Sequence, residues 1–206
     1  MEPKWLEWAK SLQAEAQNGL TFAANEFETE RYHHIMDIAA EMMASNSDAD
    51  LAYVKGLFKD AEGYATPRID VRGVVFKDNK ILLVKEKSDG GWTLPGGWAD
   101  PNETPSESVE REVLEESGFE VKAVKVLAVY DRAKQGHTPP FPYHVYKLFF
   151  LCELKGGKKT TSIETTDVDF WVENRIPDLS PARTTPAQLK RFFEHHRSPD
   201  LPTDFD

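Results

Sequence analysis

Between residues 96 and 119 the chain reads GGWADPNETPSESVEREVLEESGF, and no other segment restricts the fold as much. Thr104-Pro105-Ser106-Glu107 is a capping box with proline in the first helical position, so a helix starts there. Gly118 marks its end. At 100° per residue, Glu112, Glu115 and Glu116 share about a 100° arc of that helix. Val109 and Val113 mark the adjoining apolar face. Three carboxylates therefore lie at the border between core and solvent. Like charges at these spacings cost a few tenths of a kcal/mol per pair, and partial burial raises the cost. A helix that keeps them together calls for a compensating cation. Clustered carboxylates are hard oxygen donors suited to Mg²⁺ or Mn²⁺. The Gly96-Gly97 pair lets the backbone turn sharply, so that a carbonyl can add a further ligand. An ion held here would bind phosphate oxygens and activate water, which makes the segment competent for attack on a phosphoanhydride. The competing reading of the glutamates alone is a solvated acidic helix face.

The rest of the chain divides near residue 62. Before it the pattern is helical: Trp5, Trp8, Ala9 and Leu12 predict a first helix over roughly 3–17, stopped by Gly19. Tyr32, Ile35, Ile38, Ala39 and Met42 predict a second over roughly 23–44. Asp48 is the expected cap of a third, with Leu51, Val54 and Phe58 on one face. Gly63 to Pro67 reads as a linker. Beyond it, Val71–Phe76 and Ile81–Val84 flank Lys77-Asp78-Asn79-Lys80, a hairpin signal. Further strands are expected at roughly 121–130, 144–153 and 168–173, and a second proline-started helix at Thr185-Pro186-Ala187-Gln188. Mixed strands and helices without regular alternation predict an α+β fold, a mixed sheet packed by helices. The expected domains are 1–62, helical, and 63–206, carrying the chemistry.

Composition narrows the partners. With 25 basic and 35 acidic residues the net charge is −10, which disfavours broad duplex binding while leaving room for a local basic pocket. Cys152 is the single cysteine, too few for an intrachain disulfide, and reads as a small buried hydrophobe. No run approaches the ~20 apolar residues of a membrane span, and the N-terminus shows no secretory pattern, so a cytoplasmic setting without membrane contact is expected. The His33-His34 and His195-His196 pairs lack a third ligand in sequence and read as surface or structural.

Taken whole, the spacing Gly97, five residues, Glu103, seven residues, Arg111-Glu112, then Glu115-Glu116 and Gly118 resembles the Nudix box at every defined position. The hairpin before it, the Trp92–Gly97 segment leading into it and Val168–Val172 after it are similar to the flanks of that box. The resemblance implies a Nudix α/β/α sandwich and hydrolysis of a nucleoside diphosphate linked to another moiety, with water attacking phosphorus. It implies Glu112, Glu115 and Glu116 as ligands of Mg²⁺, or alternatively Mn²⁺, with the Gly96 carbonyl. Glu103 and Arg111 would brace the loop and helix. The family's general base varies in location, and Glu164 is the candidate from a later loop.

Lys4–Lys10, Glu30-Arg31-Tyr32 and Gly63–Arg72 resemble bacterial Nudix hydrolases with a helical N-terminal domain, a group that includes CDP-choline and ADP-ribose pyrophosphatases. CDP-choline is the first substrate expectation and ADP-ribose the second. The alternatives are a Nudix enzyme processing RNA ends, which the charge weakens, and a non-catalytic nucleotide-binding regulator, which the intact glutamates oppose. Arg72, Trp98, Tyr130, Arg132, Phe141 and Tyr143 are the candidate substrate contacts: aromatics stack on bases or cage an ammonium. Trp5, Trp8, Leu12, Phe22, Phe27, Ile35, Ile38 and Met42 give the first sixty residues more apolar surface than so small a segment buries alone, and a homodimer is the expected solution.

Overall fold

The computed structural model describes residues 2–59 and 63–206. The expected domain border at 62 therefore lies outside the described residues. The chain forms two compact units. One runs up to Pro67 and takes in Pro140–His144; the other comprises Arg68–Pro139 and Val145–Asp206.

The first unit is built from α1 (Lys4–Phe22), α2 (Glu26–Ser45) and α3 (Leu51–Lys59). Leu6 and Ala9, Ala39, Ala40 and Met43, and Val54 and Phe58 form its core, one set from each helix. Two expectations are corrected. Gly19 does not stop α1, which continues to Phe22. A Cβ at position 19 would lie 2.2 Å from the Tyr32 ring, so this glycine serves close helix packing rather than termination. Asp50, not Asp48, caps α3: its carboxylate accepts from the backbone N–H groups of Ala52 and Tyr53. The 140–144 segment belongs to this unit, and the Tyr143 hydroxyl donates to the Leu57 carbonyl at 3.2 Å. Trp8, Phe22 and Phe27 stay exposed, at 55%, 72% and 74%.

The second unit is a seven-stranded mixed sheet between two helices. Its strands are β1 (Arg68–Lys77), β2 (Lys80–Glu86), β3 (Trp92–Thr93), β4 (Phe119–Asp131), β5 (Val145–Gly157), β6 (Thr165–Trp171) and β7 (Asp204–Phe205). The order is β3-β2-β1-β5-β4-β7, with β6 pairing antiparallel to β2. The β1–β5 and β4–β7 pairs are parallel and the others antiparallel. Asp78 and Asn79 both take positive φ in the β1–β2 turn, the twist that a tight hairpin requires.

Strand alternation sends Val71, Val75, Leu82 and Val84 to one face, where Val109 and Val113 of α4 (Pro105–Ser117) cover them. Val74, Ile81, Leu83 and Phe149 go to the other, under Leu189, Phe192 and Phe193 of α5 (Pro186–Arg197). Each such side chain contributes about 1.5–3 kcal/mol on burial. Cys152 is buried and free on the α4 face. No described helix is long and apolar enough to cross a membrane.

Candidate active site

The acidic segment forms the helix its sequence dictates. Thr104 caps α4, Glu107 closes the box, Pro105 stands in the first turn, and Gly118 ends the helix in the left-handed conformation. Ahead of α4, residues 95–99 run along β1. The Pro95, Gly97 and Ile69 carbonyls accept from Gly73, Val71 and Ala99 at 2.8, 2.8 and 3.0 Å. Gly96 has φ +140°, and a Cβ there would lie 2.0 Å from the Val71 carbonyl oxygen; glycine alone makes this approach. Its N–H donates to Glu116 Oε2 at 2.8 Å. A Cβ on Gly97 would meet Glu112 Oε2 at 2.9 Å. The two glycines thus seat two carboxylates against the backbone.

Arg111 organises the exposed side. Its Nε and Nη2 grip both oxygens of Glu103 at 2.8 and 3.0 Å, and Nη1 reaches Glu112 at 2.8 Å and Glu115 at 3.1 Å. Ser108 adds a bond to Glu103 at 2.8 Å. The Arg111 and Ser108 hydrogen bonds hold the Glu103 carboxyl below its ordinary value. Glu116 is the reverse case. Burial pushes it up to about 7, and the charges of Glu86 and Glu112 push the same way, against Arg72 and the Gly96 N–H. Burial also raises Glu112.

Among the described residues, no three acidic or histidine side chains converge as they stand into a cage for an ion. Arg111 instead occupies Glu112 and Glu115. The donor set nevertheless fits a hard divalent cation. It has three carboxylate donors on one helix face, one of them buried and destabilised by like charges, which a cation would relieve.

Arg72 is buried, its guanidinium paired with both Asp70 oxygens and with the Leu94 carbonyl. Trp98 is partly exposed and its backbone bridges Asp70. Tyr130 sits in the α5-side core against Phe149, and burial raises its hydroxyl to about 12. Arg132 is buried and donates to the Pro139 and Ala182 carbonyls. Phe141 and Tyr143 pack edge to face, 5.7 Å apart, within the helical unit. Glu164 is exposed, and its charge repels that of Glu86.

Glu86 is a buried acid that sequence reasoning passed over. It ends β2, is buried, and pairs with Arg183 at 3.0 Å. Burial raises its carboxyl, and it repels Glu116. Asp70 and Lys147 were also passed over. They lie opposite each other on β1 and β5 and bond at 2.7 Å. Lys147, a charge at the head of the apolar run 148–152, is the signal that could have marked the pair.

Residues 66–194 match the family profile described as the NUDIX domain. Residues 3–58 match one described as a UDP-X-like, N-terminal oligomerisation domain. The chain is 45% identical to the Bacillus subtilis protein YjhB, named as a candidate ADP-ribose pyrophosphatase, over 100% of this chain and 99% of that one. It is 35% identical to an ADP-ribose pyrophosphatase of Methanocaldococcus jannaschii, over 57% of this chain and 69% of the other. Among solved structures, a UDP-X diphosphatase is similar at TM-score 0.64 and 30% identity, over 98% of both chains. An ADP-ribose pyrophosphatase from Streptococcus suis is similar at TM-score 0.63 and 38% identity, over 68% of this chain and 100% of the other.

Proposed function

This chain belongs to the Nudix hydrolase family, and from that premise we propose that it hydrolyses the diphosphate of ADP-ribose-type conjugates, releasing a nucleoside monophosphate and a phosphorylated second moiety. Its class is a hydrolase of pyrophosphate bonds. The observation that carries the reading is the buried, charge-repelled Glu116 carboxylate seated on the Gly96 N–H beside Glu112. The names of the similar proteins support ADP-ribose, rather than CDP-choline, as the first substrate expectation. UDP-linked conjugates are the second reading, favoured by the similarity that spans 98% of both chains.

In this reading Glu112, Glu115 and Glu116 hold a divalent cation, Mg²⁺ or Mn²⁺, together with the Gly96 carbonyl. When bound, the cation supplies charge neutralisation of the diphosphate and a more acidic water. Arg111 releases Glu112 and Glu115 for that duty while Glu103 keeps it in place. Glu164, exposed and close enough to Glu86 to repel it, accepts the proton of the attacking water. Trp98 offers an exposed ring for a base. The helical unit joins two copies of the chain, a reading supported by its oligomerisation-domain match and its exposed aromatics.

The test is turnover of ADP-ribose, UDP-sugars, CDP-choline and a phosphomonoester, with Mg²⁺ and with EDTA. AMP and ribose 5-phosphate are expected from ADP-ribose, in the presence of metal only. Hydrolysis of the phosphomonoester without action on any diphosphate conjugate overturns the proposal.

A further inference from the structure

Lys147 is 98% buried, judged by its 2% exposure, on a strand face it shares with Val145 and Phe149. A buried ammonium is costly there, and an apolar side chain of equal length would fill the space at lower desolvation cost. Its hydrogen bond goes to Asp70 Oδ1, at 2.7 Å. The same carboxylate takes Arg72 on both oxygens, at 2.9 and 2.8 Å, so one aspartate is shared between two cations. Arg72 Nη1 also donates to the Leu94 carbonyl at 3.1 Å, at the start of the turn that presents Gly96 to Glu116. These bonds use three of the five guanidinium N–H groups and leave one on each terminal nitrogen. The acids whose charges act on Arg72 include, besides Asp70, Glu116, Glu86 and Glu112. Lys147 thus fixes the carboxylate that fixes Arg72, and no described residue takes the guanidinium's two remaining N–H donors.

We propose that Lys147 is a positioning residue: through Asp70 it locks Arg72 in the orientation that keeps two N–H donors for the substrate diphosphate beside Glu116. This rests on the diphosphate-hydrolase reading above. Lys147 does not touch substrate in this account; its influence passes entirely through Asp70 and Arg72.

The experiment is a double-mutant cycle of Lys147→Met and Arg72→Lys, with kcat, KM and Tm measured on the diphosphate conjugate that the wild type turns over fastest. Lys147→Met leaves Asp70 paired with Arg72, so Tm is expected to hold or rise. Its kcat is expected to fall about ten-fold or more with KM little changed, within the ~10²-fold that a small misplacement costs. Arg72→Lys retains charge but loses the bidentate grip. In that background Lys147→Met is expected to add no further loss. Unchanged kcat in Lys147→Met overturns the proposal, and so does a loss of equal size in both backgrounds. If the methionine variant does not fold, Lys147→Leu takes its place under the same criteria; failure of both to fold, showing Lys147 to be a structural requirement, also overturns it. Absence of wild-type turnover on every diphosphate conjugate overturns the hydrolase reading and this one together, whereas turnover with an indifferent Lys147 overturns this one alone.

Discussion

The Gly96 N–H donates to Glu116 Oε2 at 2.8 Å across twenty residues of chain, so a turn that only glycine can make and a buried helix carboxylate hold each other in place. The bond stabilises the charged form of a group that burial and neighbouring acids raise to about 7 even against it.

Glu116→Gln keeps the size and an acceptor for Gly96 but removes the charge. A fall of at least ~10²-fold in kcat is expected, with the fold intact. Near-normal turnover by a folded variant would remove Glu116 from the site. Stability gives a second readout. Glu116 binds its proton more tightly folded than unfolded, so in EDTA the wild type loses stability as pH rises from about 4.5 to about 7. Urea titrations at stepped pH are expected to show that component of the slope gone in the variant.

The two adjacent glycines are expected to fail differently. Gly96→Ala forces a Cβ into the Val71 carbonyl at a positive φ, and a loss of about 2 kcal/mol or more is expected in chemical denaturation. Gly97→Ala meets only the flexible end of Glu112, so stability is expected to stay close to wild type while kcat falls about ten-fold through the displaced carboxylate. Equal Tm losses in the two variants would contradict this division.

What the chain reveals by itself follows the range of the interactions. Thr104, Pro105 and Gly118 act within one helix, and that helix was legible to within a residue or two. So was the helix started by Thr185 and Pro186. The Glu103–Arg111 pair bridges eight residues and came with the resemblance to the box. Lys147 and Asp70 meet only through parallel pairing of β1 with β5, 77 positions apart, and no local pattern encodes that register. Glu86 ends a strand beside lysines, where an acid reads as solvent-facing until the Arg183 loop covers it. Gly19 carries the usual stop signal but is needed for the Tyr32 ring, a contact set by helix packing.

His137 is expected to contribute to the acid limb of stability. Burial, with Lys147 and Arg132 nearby, lowers its imidazole to about 3, while it bonds the Pro181 carbonyl and the Gln188 amide. The unfolded chain therefore binds a proton that the folded chain refuses. The resulting stability is present above pH ~6.5 and is lost as pH falls toward about 3. His137→Gln is expected to flatten the wild-type slope in that interval, measured by urea denaturation. An unchanged slope would assign the acid limb to other groups. The Glu116 component has the opposite sign where the two overlap, so each variant is compared with wild type separately.

The exposed aromatics of the helical unit make the last prediction. Phe22 and Phe27 are 72% and 74% exposed at the junction of α1 and α2, and Trp8 is 55% exposed on α1. Large rings left in water on a segment that matches an oligomerisation domain call for a covering surface, and the proposed dimer would supply it by two-fold symmetry. Light scattering at micromolar concentration is expected to give about 47 kDa, twice the 23.4 kDa chain. An obligate interface of this kind buries over ~2,000 Å², most of it apolar. Phe22→Glu with Phe27→Glu places two charges where desolvation would have to exclude water, and dissociation to monomer is expected. A wild-type mass of 23 kDa would leave the aromatics to another partner. A dimer indifferent to both charges would move the interface elsewhere on the unit.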